Sequence, residues 1–187
     1  MTSASYDVLV LAGGRSRRMG GGDKTRLPVD GLPLLDRVLG AVSPDAAVVV
    51  VGDERPTVRP VAWTREQPLH GGPAAAVVAG LKQVSADVTV LLAGDLPLLT
   101  NEFVDRLVAS VTADAGAVPV DGERMPQWLC SAWPTALLRG VDWATSSSLR
   151  AGLAPLPFAR LAVDTGAAAP WLDCDTPEDL RRARELA

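Results

Sequence analysis

The residues best suited to chemistry lie in a glycine- and arginine-rich segment near the start of the chain. Residues 11–28 read L-A-G-G-R-S-R-R-M-G-G-G-D-K-T-R-L-P and directly follow an apolar run. Glycines let backbone N–H groups approach an anion closely and turn toward it. The segment also carries five cations, which are Arg15, Arg17, Arg18, Lys24 and Arg26. Such a strand and loop are suited to bind a polyanion, and a nucleoside triphosphate is the natural guest.

Two common phosphate-binding motifs are excluded by their spacing. A Walker loop needs Gly-Lys-Ser/Thr after a four-residue gap, but Asp23 separates Gly22 from Lys24. A dinucleotide fingerprint needs G-x-G-x-x-G, which Gly20, Gly22 and Thr25 do not supply. The segment therefore follows a different phosphate-binding pattern.

A candidate metal ligand follows a second apolar run. Residues 88–93 read V-T-V-L-L-A and are followed by Gly94, Asp95, Leu96 and Pro97. In open parallel sheets, ligands bind beyond the carboxyl ends of the strands, so Asp95 is expected in the same crevice as the glycine-rich segment. A carboxylate there suits Mg²⁺, which prefers oxygen ligands and often combines one or two carboxylates with substrate phosphates. An Asp shortly before a proline is also a common turn former.

Composition limits the class of protein. The chain has 187 residues, of which 48% are hydrophobic and 21% charged, and its net charge is −4. One folded domain over residues 1–187 is expected, without bulk attraction to nucleic acid or to a membrane. Cys130 and Cys174 are far apart and accompany a single histidine, His70, so neither a disulfide framework nor a zinc site is indicated. No signal peptide or membrane span stands out, and a cytoplasmic location is expected.

The remaining pattern predicts the elements that position these residues. A helical pattern is expected to open at Gly31-Leu32-Pro33 and to continue over 34–42. A continuous apolar run at 46–51, a short strand near 61–63 and a helix of small residues ending near 81 follow. That small-residue helix suits either a nearby ligand or tight interior packing. Thr100 and Thr176 are predicted to cap helices, and strands are predicted at 115–120, 123–133 and 158–163. We therefore expect an α/β three-layer sandwich with a mostly parallel, Rossmann-like sheet and a late antiparallel hairpin.

The ordered motif L-A-G-G-x-S-R-R-M-G, then D-K, then L-P resembles the signature of the nucleotidyltransferases. Within that superfamily the chain is most similar to the molybdenum cofactor guanylyltransferases, or molybdopterin-guanine dinucleotide synthases. The resemblance extends from Leu9 to Leu180. It implies a fold of the nucleotide-diphospho-sugar transferase type. It also implies Mg²⁺-dependent transfer of GMP from GTP to the terminal phosphate of the molybdopterin cofactor, with release of pyrophosphate.

The resemblance also implies roles for individual residues. Lys24, Asp95 and Arg18 match the catalytic positions, and Asp95 matches the metal ligand. Whether Asp173 or Asp175 supplies a second metal ligand stays open. The positions that match nucleotide contacts are Leu11, Ala12, Gly13, Gly14, Lys24, Gly52, Glu66, Gly72, Pro73 and Asp95. At Gly52 the family usually has Asn, and at Glu66 this chain keeps an acidic residue.

Two departures from the family pattern leave the acceptor open. Trp128 stands where the family usually has Pro, and Asp173 and Asp175 replace two Asn residues. The alternatives are a CTP-dependent cytidylyltransferase, a nucleotide-sugar pyrophosphorylase, or a non-catalytic protein that delivers a nucleotide or pterin. The chain is short for the sugar-binding extension that a nucleotide-sugar pyrophosphorylase usually carries. The presence of both Lys24 and Asp95 argues against a non-catalytic protein. Transient contact with cofactor-synthesis or acceptor proteins is also expected.

Overall fold

The computed structural model describes residues 5–13, 23–69, 71–146, 148–163 and 168–187. This part of the chain contains nine strands, six α-helices and a short 3-10 helix at Lys24–Arg26. In chain order the strands and helices are β1 (Tyr6–Leu11), β2 (Pro28–Val29), β3 (Leu32–Pro33), α1 (Leu34–Gly40), β4 (Ala47–Val51), β5 (Ala62–Thr64), α2 (Gly72–Leu81), β6 (Val88–Ala93), α3 (Asn101–Ala109), β7 (Gly116–Val120), β8 (Cys130–Pro134), α4 (Thr135–Gly140), α5 (Leu149–Leu153), β9 (Phe158–Ala162) and α6 (Pro177–Leu186).

Seven strands form one mixed sheet in the order β5-β4-β1-β6-β8-β7-β9. Strands β5, β4, β1 and β6 are parallel, whereas β8 runs antiparallel to both β6 and β7, and β9 is parallel to β7. The predicted mostly parallel sheet with a late antiparallel hairpin is confirmed. Its four parallel strands bring their carboxyl ends to one edge.

The sheet lies between two helical layers because its strands are apolar on both faces. All six residues of β1 are buried. Val8 and Val10 pack with α1 and α3 on one side, whereas Leu9 and Leu11 pack with α2, α4 and α5 on the other. Side chains alternate between faces along a strand, so a continuous apolar run is what a doubly covered strand requires. The predicted three-layer sandwich is confirmed.

A small hairpin occupies the place where we expected the first helix to open. Strands β2 and β3 pair antiparallel through Val29 and Leu32, and the turn residues Asp30 and Gly31 have φ values of 49° and 80°. A two-residue Asp-Gly turn with positive φ at both positions favours a tight hairpin. The expected helical opening at Gly31 is therefore wrong, and α1 begins at Leu34.

The hairpin also anchors the end of the chain. A small core joins it to α1, to α6 and to the segment before α6, and its members are Val29, Leu34, Cys174, Leu180 and Ala183. The Arg184 guanidinium donates hydrogen bonds from Nε and Nη2 to the Pro28 carbonyl, at 3.2 and 2.9 Å. These contacts hold the segment before α6 close to the 3-10 helix that precedes β2.

Two predicted helix caps are confirmed. The Thr100 hydroxyl accepts a hydrogen bond from the Phe103 amide at 3.3 Å. Thr176 and Asp179 form a reciprocal capping box at the start of α6. Among the described residues, no helix combines the length and the apolar character that crossing a membrane requires.

The predicted returning strand is shorter than expected. It covers Cys130–Pro134 rather than residues 123–133. Trp128, which precedes it, stacks on Trp133 with ring centroids 6.4 Å apart and meets Phe158 edge-on at 5.3 Å. Aromatic pairs in these orientations add to the stabilisation that burial gives. The tryptophan that departs from the family pattern is thus part of an aromatic cluster.

Candidate functional site

The ends of three parallel strands are joined directly at the carboxyl edge of the sheet. The Ala12 amide donates to the Val51 carbonyl at 2.9 Å, and the Gly94 amide donates to the Leu11 carbonyl at 3.0 Å. A Cβ atom at either Gly52 or Gly94 would lie 3.1 Å from an Ala12 atom. A side chain at either position would force its neighbours to shift by a few tenths of an ångström, so the two glycines allow a close approach to Ala12 on both sides.

This packing determines what the first strand can offer a ligand. Leu11 and Ala12 are buried, and the Leu11 carbonyl and the Ala12 amide are already hydrogen-bonded within the sheet. Gly13 is exposed, and a Cβ atom added there would lie 3.9 Å from Glu66 Oε2. Gly52 is buried against Ala12 and offers a ligand no side chain. Among the described residues of this strand end, Gly13 is therefore the one exposed to a ligand, with Glu66 beside it.

Lys24 follows this strand end and lies at the centre of a charged cluster. It is the first residue of the 3-10 helix, which Asp23 caps by accepting a hydrogen bond from the Thr25 amide at 3.1 Å. The Lys24 ammonium contacts Asp95 Oδ2 and also lies 2.5 Å from Asp175 Oδ1. Residues that are distant in the sequence thus meet at one ammonium group.

Asp95 is a buried carboxylate with an unusual environment. The residue is only 4% exposed, and Oδ2 accepts no hydrogen bond from any of the described residues. The Lys24 ammonium touches this oxygen without the alignment of a hydrogen bond, so we treat the contact as an ion pair. A buried carboxylate oxygen normally has a donor, and leaving one without a donor costs free energy. The arrangement favours the arrival of a cation.

The charges in this cluster shift two pKa values upward. Burial alone would lower the pKa of Lys24, but the negative charges of Asp95 and Asp175 outweigh it and raise that pKa above its ordinary value. The pKa of Asp173 is raised first by desolvation through burial and then by repulsion from Asp95 and Asp175. Asp173 also has an exposed surface, so solvent screens this shift. Lys24 is therefore a permanent cation beside an excess of carboxylates.

Cys174 fixes the two aspartates that flank it. Its side chain is fully buried in the small core beneath the hairpin, whereas Asp173 and Asp175 are exposed. Burial, followed by the charges of nearby carboxylates, raises the pKa of the Cys174 thiol to about 12. A thiol with such a pKa stays protonated and unreactive at neutral pH. Its role is to anchor the segment that carries Asp175.

Other predicted site residues have different positions. Gly72, with φ of 83°, begins α2, and Pro73 follows in its first turn. Both are exposed where the chain returns from the carboxyl edge of the sheet. Gly14 and Arg18, which we expect to contact the nucleotide and to act in catalysis, lie outside the described residues.

Sequence reasoning missed two features of this cluster. The contact between Lys24 and Asp175 joins residues 151 positions apart, and no spacing rule signals it. The capping of the Lys24 helix by Asp23 was readable, because Asp is a favoured residue immediately before a helix.

Comparison with known proteins identifies the family. Residues 8–160 match the MobA-like NTP transferase domain. The chain belongs to the MobA-like NTP transferase family. This family membership confirms the resemblance to the nucleotidyltransferases. The matched residues include Lys24 and Asp95 and end before Asp175.

Individual relatives agree with this assignment. A molybdenum cofactor guanylyltransferase from Rhodobacter capsulatus is 32% identical over 186 residues, which cover 95% of this chain and 94% of the relative. Another, from Mesorhizobium japonicum, is 35% identical over 139 residues, covering 68% of this chain and 66% of the relative. A solved nucleotidyl transferase from Methanothermobacter thermautotroptrophicus superposes with a TM-score of 0.81 over 97% of this chain and 96% of its own, at 18% identity. That last similarity concerns the fold alone.

Proposed function

We propose that this member of the MobA-like NTP transferase family transfers GMP from GTP to the terminal phosphate of the molybdopterin cofactor and releases pyrophosphate. The observation that carries the proposal is the contact between Lys24 and Asp95 at the carboxyl edge of the sheet. It brings the cation of the glycine-rich segment and the candidate metal ligand to one place. The names of the relatives supply the substrates.

Lys24 has the charge and position to bind the triphosphate. Its side chain is 24% exposed, so an incoming phosphate can reach it. It is shared between Asp95 and Asp175, and a phosphate group would replace one of these carboxylates as its partner. A preorganised cation at the phosphates stabilises the charge that develops as pyrophosphate leaves, which is worth most in a site that excludes water.

Asp95 fits the role of a Mg²⁺ ligand. Oδ2 is buried, accepts no hydrogen bond from the described residues and is a hard oxygen donor of the kind that Mg²⁺ prefers. No group of three His, Cys, Asp or Glu residues in the described ranges is arranged to hold a metal, so Asp95 would act together with phosphate oxygens of the substrate. When bound, Mg²⁺ would supply charge neutralisation at the phosphates. Asp173 or Asp175 is a further candidate ligand.

The reaction does not require a general base from the protein. The acceptor is a phosphate that is already anionic near neutral pH, and its oxygen attacks the α-phosphorus of the nucleotide as pyrophosphate departs. The chain's own residues then act by positioning and by charge. We propose that this reaction takes place in the cytoplasm, where GTP is available. We also propose that the protein makes transient contacts with proteins that supply or receive the cofactor.

Pyrophosphate release tests the proposal directly. The purified protein is incubated with Mg²⁺ and either GTP or CTP, and with molybdopterin, with a sugar phosphate or with neither acceptor. We expect release that requires GTP and molybdopterin together, and a product that contains one guanosine per pterin. Faster release with CTP would instead favour the cytidylyltransferase, and release driven by a sugar phosphate would favour the pyrophosphorylase. No release with any pair would leave a binding protein.

A further inference from the structure

A second arginine-centred cluster lies beside the charged site. Arg55 belongs to the connection between β4 and β5, and its side chain is only 8% exposed. Its guanidinium reaches back to the 3-10 helix that carries Lys24. Nη1 lies 2.5 Å from Asp23 Oδ2, and Nη2 donates a hydrogen bond to the Thr25 hydroxyl. Arg55 therefore holds the residues on both sides of Lys24.

Asp23 and Thr25 are themselves tightly connected. Asp23 Oδ1 accepts hydrogen bonds from the Thr25 amide at 3.1 Å and from the Thr25 hydroxyl at 2.6 Å. Thr25 is 4% exposed, and its methyl group lies 3.3 Å from where a Cβ atom on Gly94 would be. The residue after Gly94 is Asp95. We call the hydrogen-bonded group of Arg55, Asp23 and Thr25 the clamp. The clamp thus packs against the turn that carries the candidate metal ligand.

The Arg55 guanidinium also contacts an aromatic ring. It lies over the Trp63 ring at 5.6 Å from the ring centroid, a distance at which a cation is attracted to an aromatic face. A planar guanidinium can bind a carboxylate, a hydroxyl and an aromatic ring simultaneously, which a lysine ammonium cannot do in the same geometry. The contact fixes one guanidinium between β5 and the Lys24 helix.

We propose that Arg55 is a positioning residue that orients Lys24 for the triphosphate by clamping Asp23 and Thr25. Arg55 itself need not touch the nucleotide. Lys24 has a long flexible side chain, and its own contacts are with Asp95 and Asp175, both of which a bound substrate would disturb. The backbone on which Lys24 is mounted is held by different residues, so its position survives the exchange of partners. The inference rests on the proposed nucleotide-binding role of Lys24.

A matched control lies in the same connection. Arg59 donates hydrogen bonds to the carbonyls of Ser43, Pro44 and Ala46, each at 2.8 Å. It is an arginine in the same segment with a similarly engaged guanidinium, but these partners precede β4, at the opposite end of that strand from the site. Arg59→Met therefore reports the structural cost of losing a well-bonded arginine.

The test is a double-mutant cycle on nucleotide binding. Calorimetry measures the Kd of Mg²⁺–GTP, and separately of Mg²⁺–CTP, for the wild type, Arg55→Met, Lys24→Ala and the double variant. We expect Arg55→Met to weaken binding about 10-fold when Lys24 is present and less than about twofold when it is Ala, since residues linked through one hydrogen-bond network and a shared backbone segment couple in this way. Arg55→Lys should weaken binding by an intermediate factor, and Arg59→Met should lower Tm without changing Kd. Equal losses in both Lys24 backgrounds, or no loss, would overturn the proposal.

A second measurement separates this inference from the proposed function. Hydrogen exchange in the nucleotide-free protein follows the amides of Thr25, Arg26 and Leu27, which donate to Asp23 Oδ1, the Asp23 carbonyl and the Lys24 carbonyl. Faster exchange in Arg55→Met, but not in Arg59→Met, is expected. Unchanged exchange would contradict the clamp whatever the protein binds. A wild type that binds neither nucleotide would overturn both the proposed function and the role of Lys24 that Arg55 serves, even if the amides respond.

Discussion

Two buried aspartates lie near opposite ends of neighbouring strands and differ in the hydrogen bonds that they accept. Asp7, in β1, is 6% exposed, and its Oδ2 accepts hydrogen bonds from the Ser85 amide and hydroxyl and from the Ala86 amide. Asp95, after β6, is 4% exposed, and its Oδ2 accepts none from the described residues. Burial alone therefore does not separate structural from functional carboxylates. What differs between these two carboxylates is whether the described residues donate hydrogen bonds to Oδ2.

The difference has a physical meaning for each edge of the sheet. Asp7 ties the turn after α2 to the first strand, and its negative charge is stabilised by fixed donors. Asp95 depends on Lys24, a side chain that the substrate would also attract. The carboxyl edge thus keeps a buried carboxylate oxygen that is paired with Lys24 and accepts no hydrogen bond from the described residues, which suits a site for a cationic ligand. At the amino edge, the hydrogen bonds of Asp7 stabilise the fold.

The largest expected effect is on catalysis at the carboxyl edge. Asp95→Ala and Lys24→Ala should each lower kcat on the order of 100-fold or more, because in the proposed mechanism Lys24 neutralises the phosphates and Asp95 holds the Mg²⁺ that does so. Steady-state pyrophosphate release with GTP and molybdopterin measures this. Asp7→Ala, assayed below its own Tm, should stay within about threefold of the wild type, since distant sites act independently. Activity within about threefold for Asp95→Ala would contradict its role.

The next expected effect is on stability and has the opposite order. Asp7→Ala should lower the free energy of unfolding by about 2–3 kcal/mol, because it leaves buried backbone donors without an acceptor. Asp95→Ala should cost less, since Asp95 Oδ2 accepts no hydrogen bond from the described residues and Lys24 keeps Asp175 as a partner. Urea denaturation at constant slope compares the two. A larger loss for Asp95→Ala would mean that Asp95 is mainly structural.

The sequence allowed much of this comparison to be predicted. The rule that parallel strands present ligands at their carboxyl ends brought Asp95 to the glycine-rich segment, and the Lys24 contact agrees with it. The Asp30-Gly31 turn carried a readable hairpin signal that the helical pattern of the following residues obscured. The contacts of Asp175 and Arg55 were not readable. They depend on how separate segments pack in three dimensions, which no local pattern encodes.

The smallest expected effect sharpens the account of charge at the site. The pKa of Asp173 is raised in the folded protein by desolvation and by Asp95 and Asp175, so its ionisation disfavours the fold. The folded state then binds its proton more tightly than the unfolded state, and stability falls as pH rises from the unfolded pKa, about 3.9, to the raised value. In EDTA, Asp173→Asn should raise Tm slightly at pH 7 and not at pH 3. An equal change at both pH values would exclude a charge effect.

The most direct test of the central claim asks whether Asp95 and Lys24 act on the same Mg²⁺-bound triphosphate. Thermal unfolding is followed with GTP, with and without Mg²⁺, for the wild type, Asp95→Asn, Lys24→Ala and Asp7→Asn. A ligand that binds only the folded state raises Tm in proportion to its affinity. We predict that Mg²⁺ enhances the GTP-dependent rise in the wild type and in Asp7→Asn, that the enhancement is lost in Asp95→Asn, and that Lys24→Ala weakens the rise itself. A full Mg²⁺-dependent rise in Asp95→Asn would contradict the account.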